Sequence, residues 1–422
     1  DNQYELYTDE AGVKHYYHGS LTVTGTEDAP IEFSSNTARN NGGGAIAIGY
    51  NTYTTLDYVK IHDNTAGTSG GGIWWGGMGS KGTMTNSKVY GNAANNDGGA
   101  IFVNDRFGVD SYKDENDVTH YVRLSDPAEY TIQDCEITDN KVVNAAATGN
   151  YGGGGFALHT DVWSETWFGK EDVGTFNLVN TKLANNSSVR NGGAFVANAN
   201  WEINIINSTI ADNTAEKNGG TAYTNSDVNV KGGTIIAGNT AGTNGGAFYV
   251  FKRNNKYQLP TLTTEACEIK NNTAKKGGIA YVSAGASFAM GEKTFPDSNE
   301  GVGDVFVEKS AGKVTLPAAK QLKGKYDAWL MDDATPIEKA VTNDSSAEHY
   351  YTLQGAARVV ARLNGLLGSW TGKTYTTLQA ALDEAATKTG TASIDLLADV
   401  GEQVTATTVN NPITLNLNGY TL

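Results

Sequence analysis

Phe33-Ser34-Ser35-Asn36-Thr37-Ala38 is followed, after a polar spacer, by Gly43-Gly44-Ala45-Ile46, and this order of residues returns through most of the chain. Eight segments carry it: an apolar residue, two variable residues, an asparagine, a small residue or two, a short polar spacer, a glycine pair and an apolar run. The asparagines are Asn36, Asn64, Asn92, Asn140, Asn186, Asn213, Asn239 and Asn272. The glycine pairs read as their partners are Gly43-Gly44, Gly71-Gly72, Gly98-Gly99, Gly154-Gly155, Gly192-Gly193, Gly219-Gly220, Gly245-Gly246 and Gly277-Gly278. The steps between successive asparagines are 28, 28, 48, 46, 27, 26 and 33 residues, so the basal period is 26 to 28 and three steps carry insertions.

Within each period, short alternating segments lie before the asparagine (Thr209, Ile210) and after the glycines (Ala247 to Val250), with turn residues between them. Short strands separated by turns and repeated at this length predict one coil of a parallel β-helix. The whole chain then reads as all-β: a right-handed parallel β-helix over residues 1–310, a joint over 311–365, and a small α+β start of a further β-helix module over 366–422. The asparagines are expected to stack in a column at one corner, in the left-handed backbone that Asn tolerates. The glycine pairs are expected to give φ > 0 at another. Gly303 to Val307 reads as a last partial copy that closes the stack.

Composition agrees with growth in one dimension. The chain has 422 residues with 51 glycines and 7 prolines, beyond the size at which a single compact core stops growing. Its formal charge of −15, from 46 acids and 31 bases, disfavours nucleic acid and anionic membrane as partners. No apolar run approaches the roughly 20 residues of a membrane-spanning helix. The polar start and the abrupt end on an alternating strand lead to the expectation of a fragment, monomeric, from a longer protein.

The pairing of Phe-x-x-Asn with Gly-Gly-Ala-Ile resembles the repeats of the chlamydial polymorphic membrane proteins, adhesins whose passenger domains are β-helices. Phe33 to Asn36 and Gly98-Gly99-Ala100-Ile101 match the two motifs outright. Elsewhere Ile61, Val89, Ile137, Leu183, Ile210, Ile236 and Ile269 stand in the Phe position. At the far end, Thr376-Thr377-Leu378-Gln379 reads as a capping box, with Leu378, Ala381, Leu382 and Ala385 as a helical stripe and Gly390 as its stop. That helix and the strands Ile394–Val400 and Ile413–Leu422 are similar to the opening of β-helices in surface proteins of Gram-positive gut bacteria. Both resemblances imply an extracellular protein at a bacterial cell surface or wall.

Cys135 and Cys267 occupy one column, five residues before a repeat asparagine, where other coils have Ile31, Val59, Ser87, Thr181, Ser208 and Thr234. Four coils of about 4.8 Å separate them by roughly 19 Å. A disulfide needs about 7 Å, so both are expected to be reduced, in a tight interior slot.

Function is sought in the insertions at 104–130, 160–176 and 251–259. All three follow the strand after a glycine pair, so a stack of coils places them along one edge. They and their neighbours are rich in aromatics: Trp74, Trp75, Phe107, Tyr112, Tyr121, Trp163, Trp167, Phe168 and Trp201. Such rings either seal the loops onto the rod or form a surface that suits protein and sugar partners. The first reading is an adhesin that binds a host glycan or glycoprotein, with mucin and immunoglobulin as candidates. A polysaccharide lyase or glycoside hydrolase is the second, using loop acids such as Asp105, Asp110, Asp161, Glu165, Glu171 and Asp172, with Arg106, His120 and His159 nearby. A structural spacer is the third. The sequence holds no recognisable cofactor or metal motif, and His15, His18, His62 and His349 stand singly.

Overall fold

The computed structural model describes residues 14–307 nearly continuously, except 106–108, 114–115, 124–126, 147–151, 161–172, 253–258 and several one- or two-residue gaps. It also describes residues 5–8 and, between 313 and 417, strands, one helix and short flanks; for some strands only the backbone is described. The chain is a right-handed parallel β-helix followed by a small second module. A coil such as Trp201–Ile206, Thr209–Ala211, Thr214–Ala215 and Ala222–Thr224 contributes one strand to each of four sheets, numbered 1 to 4 in that order. Sheets 1 and 4 have 11 strands, and sheets 2 and 3 have 9. Every pairing within these sheets is parallel and joins equivalent positions in successive coils, as in Ile203 beside Val228 and Phe195 beside Ala222.

The coils are clamped by the asparagine column. The backbone N–H and side-chain Nδ2 of Asn186 both donate to Oδ1 of Asn213, at 2.9 and 3.0 Å, and Nδ2 also donates to the Ile137 carbonyl at 2.9 Å. Asn213 repeats this toward Asn239 and the Leu183 carbonyl. The ladder runs unbroken from Asn36 and ends on a ninth member, Asn299, which receives the bonds of Asn272. Sequence reading missed Asn299 because its apolar position is Pro296 and its glycines are split, Gly301 and Gly303.

The corners depart from expectation in two ways. The left-handed residue is the one before each of the first eight ladder asparagines: Ser35, Asp63, Gly91, Asp139, Asn185, Asp212, Gly238 and Asn271. The ladder asparagine itself keeps negative φ, which lets its N–H and its amide address the same neighbour. At the other corner only the first glycine of each pair is left-handed. The second is fixed by close approach: a Cβ on Gly99 would lie 2.1 Å from the Gly154 carbonyl oxygen. The pairings Ile73 with Ile46 and Phe156 with Phe195 also reset two pairs, to Gly70-Gly71 and Gly153-Gly154.

The interior fills with inward side chains whose sizes compensate between coils. Gly82, Tyr130 and Phe176 occupy one column of sheet 1, and a Cβ on Gly82 would lie 2.5 Å from the Tyr130 ring. Cys135 and Cys267 are free and buried. Their column is a hydroxyl relay rather than a plain apolar slot: Thr181 N–H donates to Ser208 Oγ at 3.1 Å and Ser208 N–H to Thr234 Oγ1 at 3.2 Å. The Cys135 thiol takes its place by donating to the Gln133 carbonyl at 3.1 Å. Burial pushes both thiols up to about 12, so neither offers a thiolate near neutrality.

Strands Lys313–Leu316 and Val341–Asn343 continue sheet 1, and Tyr326–Leu330 and Tyr351–Leu353 continue sheet 4, through the stretch expected as a joint. Ala361–Asn364 belongs to the second module, pairing antiparallel with Lys373–Tyr375 and Ala392–Leu396; Ile413–Asn416 then lies parallel to the latter. The helix Leu378–Ala386 buries Leu378, Ala381 and Ala385 against this sheet. Its cap is Thr377, one residue later than the sequence suggested, and Thr377 accepts from Ala380 N–H at 3.1 Å. Gln379 instead reaches Asp383 and Thr405.

The ladder makes a quantitative demand. Asn213→Ala leaves several buried amide groups without partners and should cost on the order of 3–5 kcal/mol. Asn36→Ala, at the exposed end, should cost less than about 1 kcal/mol. Urea unfolding of both variants checks this, and equal costs would show that the ladder is not what clamps the coils.

Candidate functional site

The candidate site is the outer face of sheet 4, at the end where the three insertions leave. In Ile73-Trp74-Trp75-Gly76 alternate residues face in and out, and pairing carries that alternation along the rod. One outward column reads Trp74, Phe102, Ala157, Val196, Tyr223, Tyr249, Tyr281 and Phe306. It forms a run of rings: Tyr223 stacks on Tyr249 at 5.0 Å, Tyr249 on Tyr281 at 4.8 Å, and Tyr281 on Phe306 at 5.0 Å. Phe251, at the root of the third insertion, folds back to 4.4 Å from Tyr223. Trp74 and Tyr249 stay partly open, whereas Phe102, Val196, Tyr223 and Phe251 are buried together. Burial raises the Tyr223 hydroxyl above its usual range, which keeps it neutral.

The next outward column is polar. His159 and Asn198 are neighbours there, with Nε2 and Nδ2 3.1 Å apart, and the edge of His159 meets Phe102 at 5.1 Å. Asp97, at the glycine corner, lies 3.9 Å from His159 Nε2 and is 5 % exposed. Its carboxylate accepts from Gly152 N–H at 2.9 Å and from Ser69 Oγ at 3.4 Å. Burial raises its pKa, opposed by His159, the Gly152 N–H, Arg190 and Ser69. Arg190 is fully buried and spans the fourth coil to reach the Asn96 carbonyl of the third. Sequence reasoning singled out neither Asp97 nor Arg190; both sit in spacer positions, where other coils also carry charge (Arg39, Lys141, Glu216 with Lys217, Lys275 with Lys276), so no signal set them apart.

No protein family, no curated protein and no solved structure matches this chain.

Of the nine aromatic candidates, Trp74 lies on the outer face. Trp75 and Trp201 do not: both are fully buried core residues. Trp75 points inward beside Tyr130 at 5.3 Å, Trp201 meets the same ring at 6.2 Å, and Tyr130 Oη donates to the Gly76 carbonyl at 3.0 Å. Gly174 leaves the space for the Trp201 ring, since a Cβ there would lie 2.7 Å from it. Tyr112 and Tyr121 are on a hairpin of the first insertion, Val109–Lys113 with Thr119–Arg123, described as backbone. Phe107, Trp163, Trp167 and Phe168 lie outside the described residues, as do Arg106, Asp161, Glu165, Glu171 and Asp172. Among the described residues no group of three or more His, Cys, Asp or Glu side chains is arranged to hold a metal ion.

His62 is not the isolated histidine it looked. Its Nε2 meets Glu32 at 2.6 Å, its Nδ1 meets Asp63 at 2.8 Å, and its ring stacks on Tyr90 at 4.6 Å. Burial opposes its protonation, but the hydrogen bonds and charges of Asp63 and Glu32 outweigh that and raise its pKa above the usual 6.5.

Two outcomes follow. Trp75→Ala or Trp201→Ala should cost about 3–5 kcal/mol in stability, as core ring deletions do; a small cost in a denaturation curve would return those rings to the surface. A histidine with a raised folded pKa contributes stability fully below about pH 6.5 and loses it as pH rises through the folded value. Between about pH 6 and pH 8 the wild type should therefore lose more stability than His62→Gln, read from thermal melts. Parallel pH profiles would refute the paired imidazolium.

Proposed function

We propose that this chain is a binding module of a bacterial cell-surface protein, and that it presents the outer face of sheet 4 with its insertions to a host glycan or glycoprotein. One observation carries this reading: three insertions, separated in sequence, leave the rod beside one outward column of sheet 4 that is aromatic on either side of Ala157 and Val196. A rigid scaffold holding rings beside long loops offers large contact area at low entropy cost. Long loops in an otherwise compact repeat are usually functional, which weighs against a pure spacer. The resemblance to β-helix adhesins supports the surface location and the host partner, with mucin and immunoglobulin the first to try.

A second reading is glycan cleavage. It is favoured by Asp97, an acid whose pKa burial raises, lying within 3.9 Å of His159 on the same face. The deciding experiment is a screen of the 422-residue chain against arrayed host glycans, mucins and immunoglobulins, with product analysis of each hit. Saturable binding of intact ligand is expected. Trp74→Ala combined with Trp163→Ala should weaken it about tenfold or more while costing less than about 1 kcal/mol in stability. Cleaved product would replace the binding reading with the enzymatic one, and silence across the screen would leave the spacer.

A further inference from the structure

The outer face of sheet 1 carries a second regular array, separate from the aromatic column. The centre of each strand presents one outward side chain, and from the second coil to the seventh these are Thr55, Thr83, Thr131, Asn177, Asn204 and Asn229. Thr22 precedes them and Thr263 follows. All eight are short, uncharged and open to solvent in whole or part. At about 4.8 Å per coil the row is roughly 34 Å long.

Asparagine is unfavourable in mid-strand, so three in succession call for a cause beyond strand propensity. Part of that cause is internal: Asn229 Nδ2 donates to Asn204 Oδ1 at 3.2 Å, Asn204 Nδ2 to Asn177 Oδ1 at 3.2 Å, and Asn177 Nδ2 to Thr131 Oγ1 at 3.3 Å. These bonds use one N–H and one lone pair of Asn204, and an amide has two of each. The ladder thus fixes the amides in one orientation with spare donors and acceptors alternating along the rod. Threonine hydroxyls continue the pattern, each both donor and acceptor. The side chains flanking the row are longer, among them Tyr53, Lys81, Glu129 and Glu202, and Lys81 and Glu129 neutralise each other at 3.4 Å.

We propose that this row is a docking strip for an extended, uncharged polysaccharide lying along the rod axis. Hydroxyls donate and accept, as the strip does, and a polymer matches a periodic array where a compact ligand does not. The row has no aromatic or apolar anchor of the kind that dominates protein interfaces. It also has no row of cations, and a chain of net charge −15 repels polyanionic glycans.

The test uses the 422-residue chain and neutral oligosaccharides of increasing length (cello-, xylo- and manno- series), with hyaluronan oligosaccharides as the charged control. Affinity for at least one neutral series should rise with length until the oligomer spans the row. Thr83→Lys with Asn204→Lys should reduce it about tenfold, and Thr55→Lys, at an exposed position, should reduce it with no change in melting temperature. Trp74→Ala should leave it intact, which separates this strip from the sheet 4 face. Absence of neutral binding, preference for hyaluronan, or loss through Trp74→Ala alone would each overturn the proposal.

Discussion

A single buried contact recurs at every level of this rod: an asparagine whose backbone and side chain both donate to the side-chain oxygen of the asparagine in the next coil. Hydrogen bonds between strands tie backbones at a fixed spacing but leave the corners of a coil undetermined. The ladder determines one corner. From Asn64 to Asn272 it stands fully buried, so each amide gains its bonds where water offers no substitute, and a coil that failed to supply one would strand its neighbour's groups. Register in all four sheets follows, because a coil pinned at one corner cannot slide. The left-handed residue before each asparagine and the close glycine contacts at the next corner are local adjustments to that pin.

The pin also explains why the chain tolerates insertions. Asn92 and Asn140 are 48 residues apart and Asn213 and Asn239 are 26 apart, yet both pairs make the same bonds at the same lengths. Extra chain can leave the rod after a sheet 4 strand without disturbing the core, provided it returns to the start of sheet 1. Function can therefore be added there at little structural cost, and the aromatic column and the Asp97–His159 pair stand beside that point of exit.

The repeat, the coil and the reduced cysteines were legible in the sequence because each rests on period and spacing, which a linear text preserves; the fourth strand of each coil was not, because the strands of sheet 3 are mostly two residues long. The errors have equally physical sources. Trp75 and Trp74 are adjacent, and only the pleat decides that one is core and the other surface; composition cannot. Trp201 looked available because it lies on the coil that follows the second insertion, but the side-chain-free Gly174 one coil earlier opens an interior space for it. Two glycine pairs were misplaced because runs of three or four glycines hide which one turns the corner. Asp97 and Arg190 meet across a coil, a proximity created only by stacking. The outward Thr and Asn row of sheet 1 is invisible in any one repeat and appears when strand centres are aligned.

Among the described residues, the last strands of sheets 2 and 3 are Thr294–Asp297 and Glu300–Val302, in the coil of the ninth ladder asparagine, Asn299. Bonds between coils point along the rod, so tension on its ends loads the coil interfaces in series, while the sheets crossing one interface share that load. From Asn36 to Asn299 four sheets and the amide ladder share it. A pull along the rod is therefore spread at each of these interfaces over four strand pairings and an amide clamp, so no coil between Asn36 and Asn299 is a preferred point of rupture.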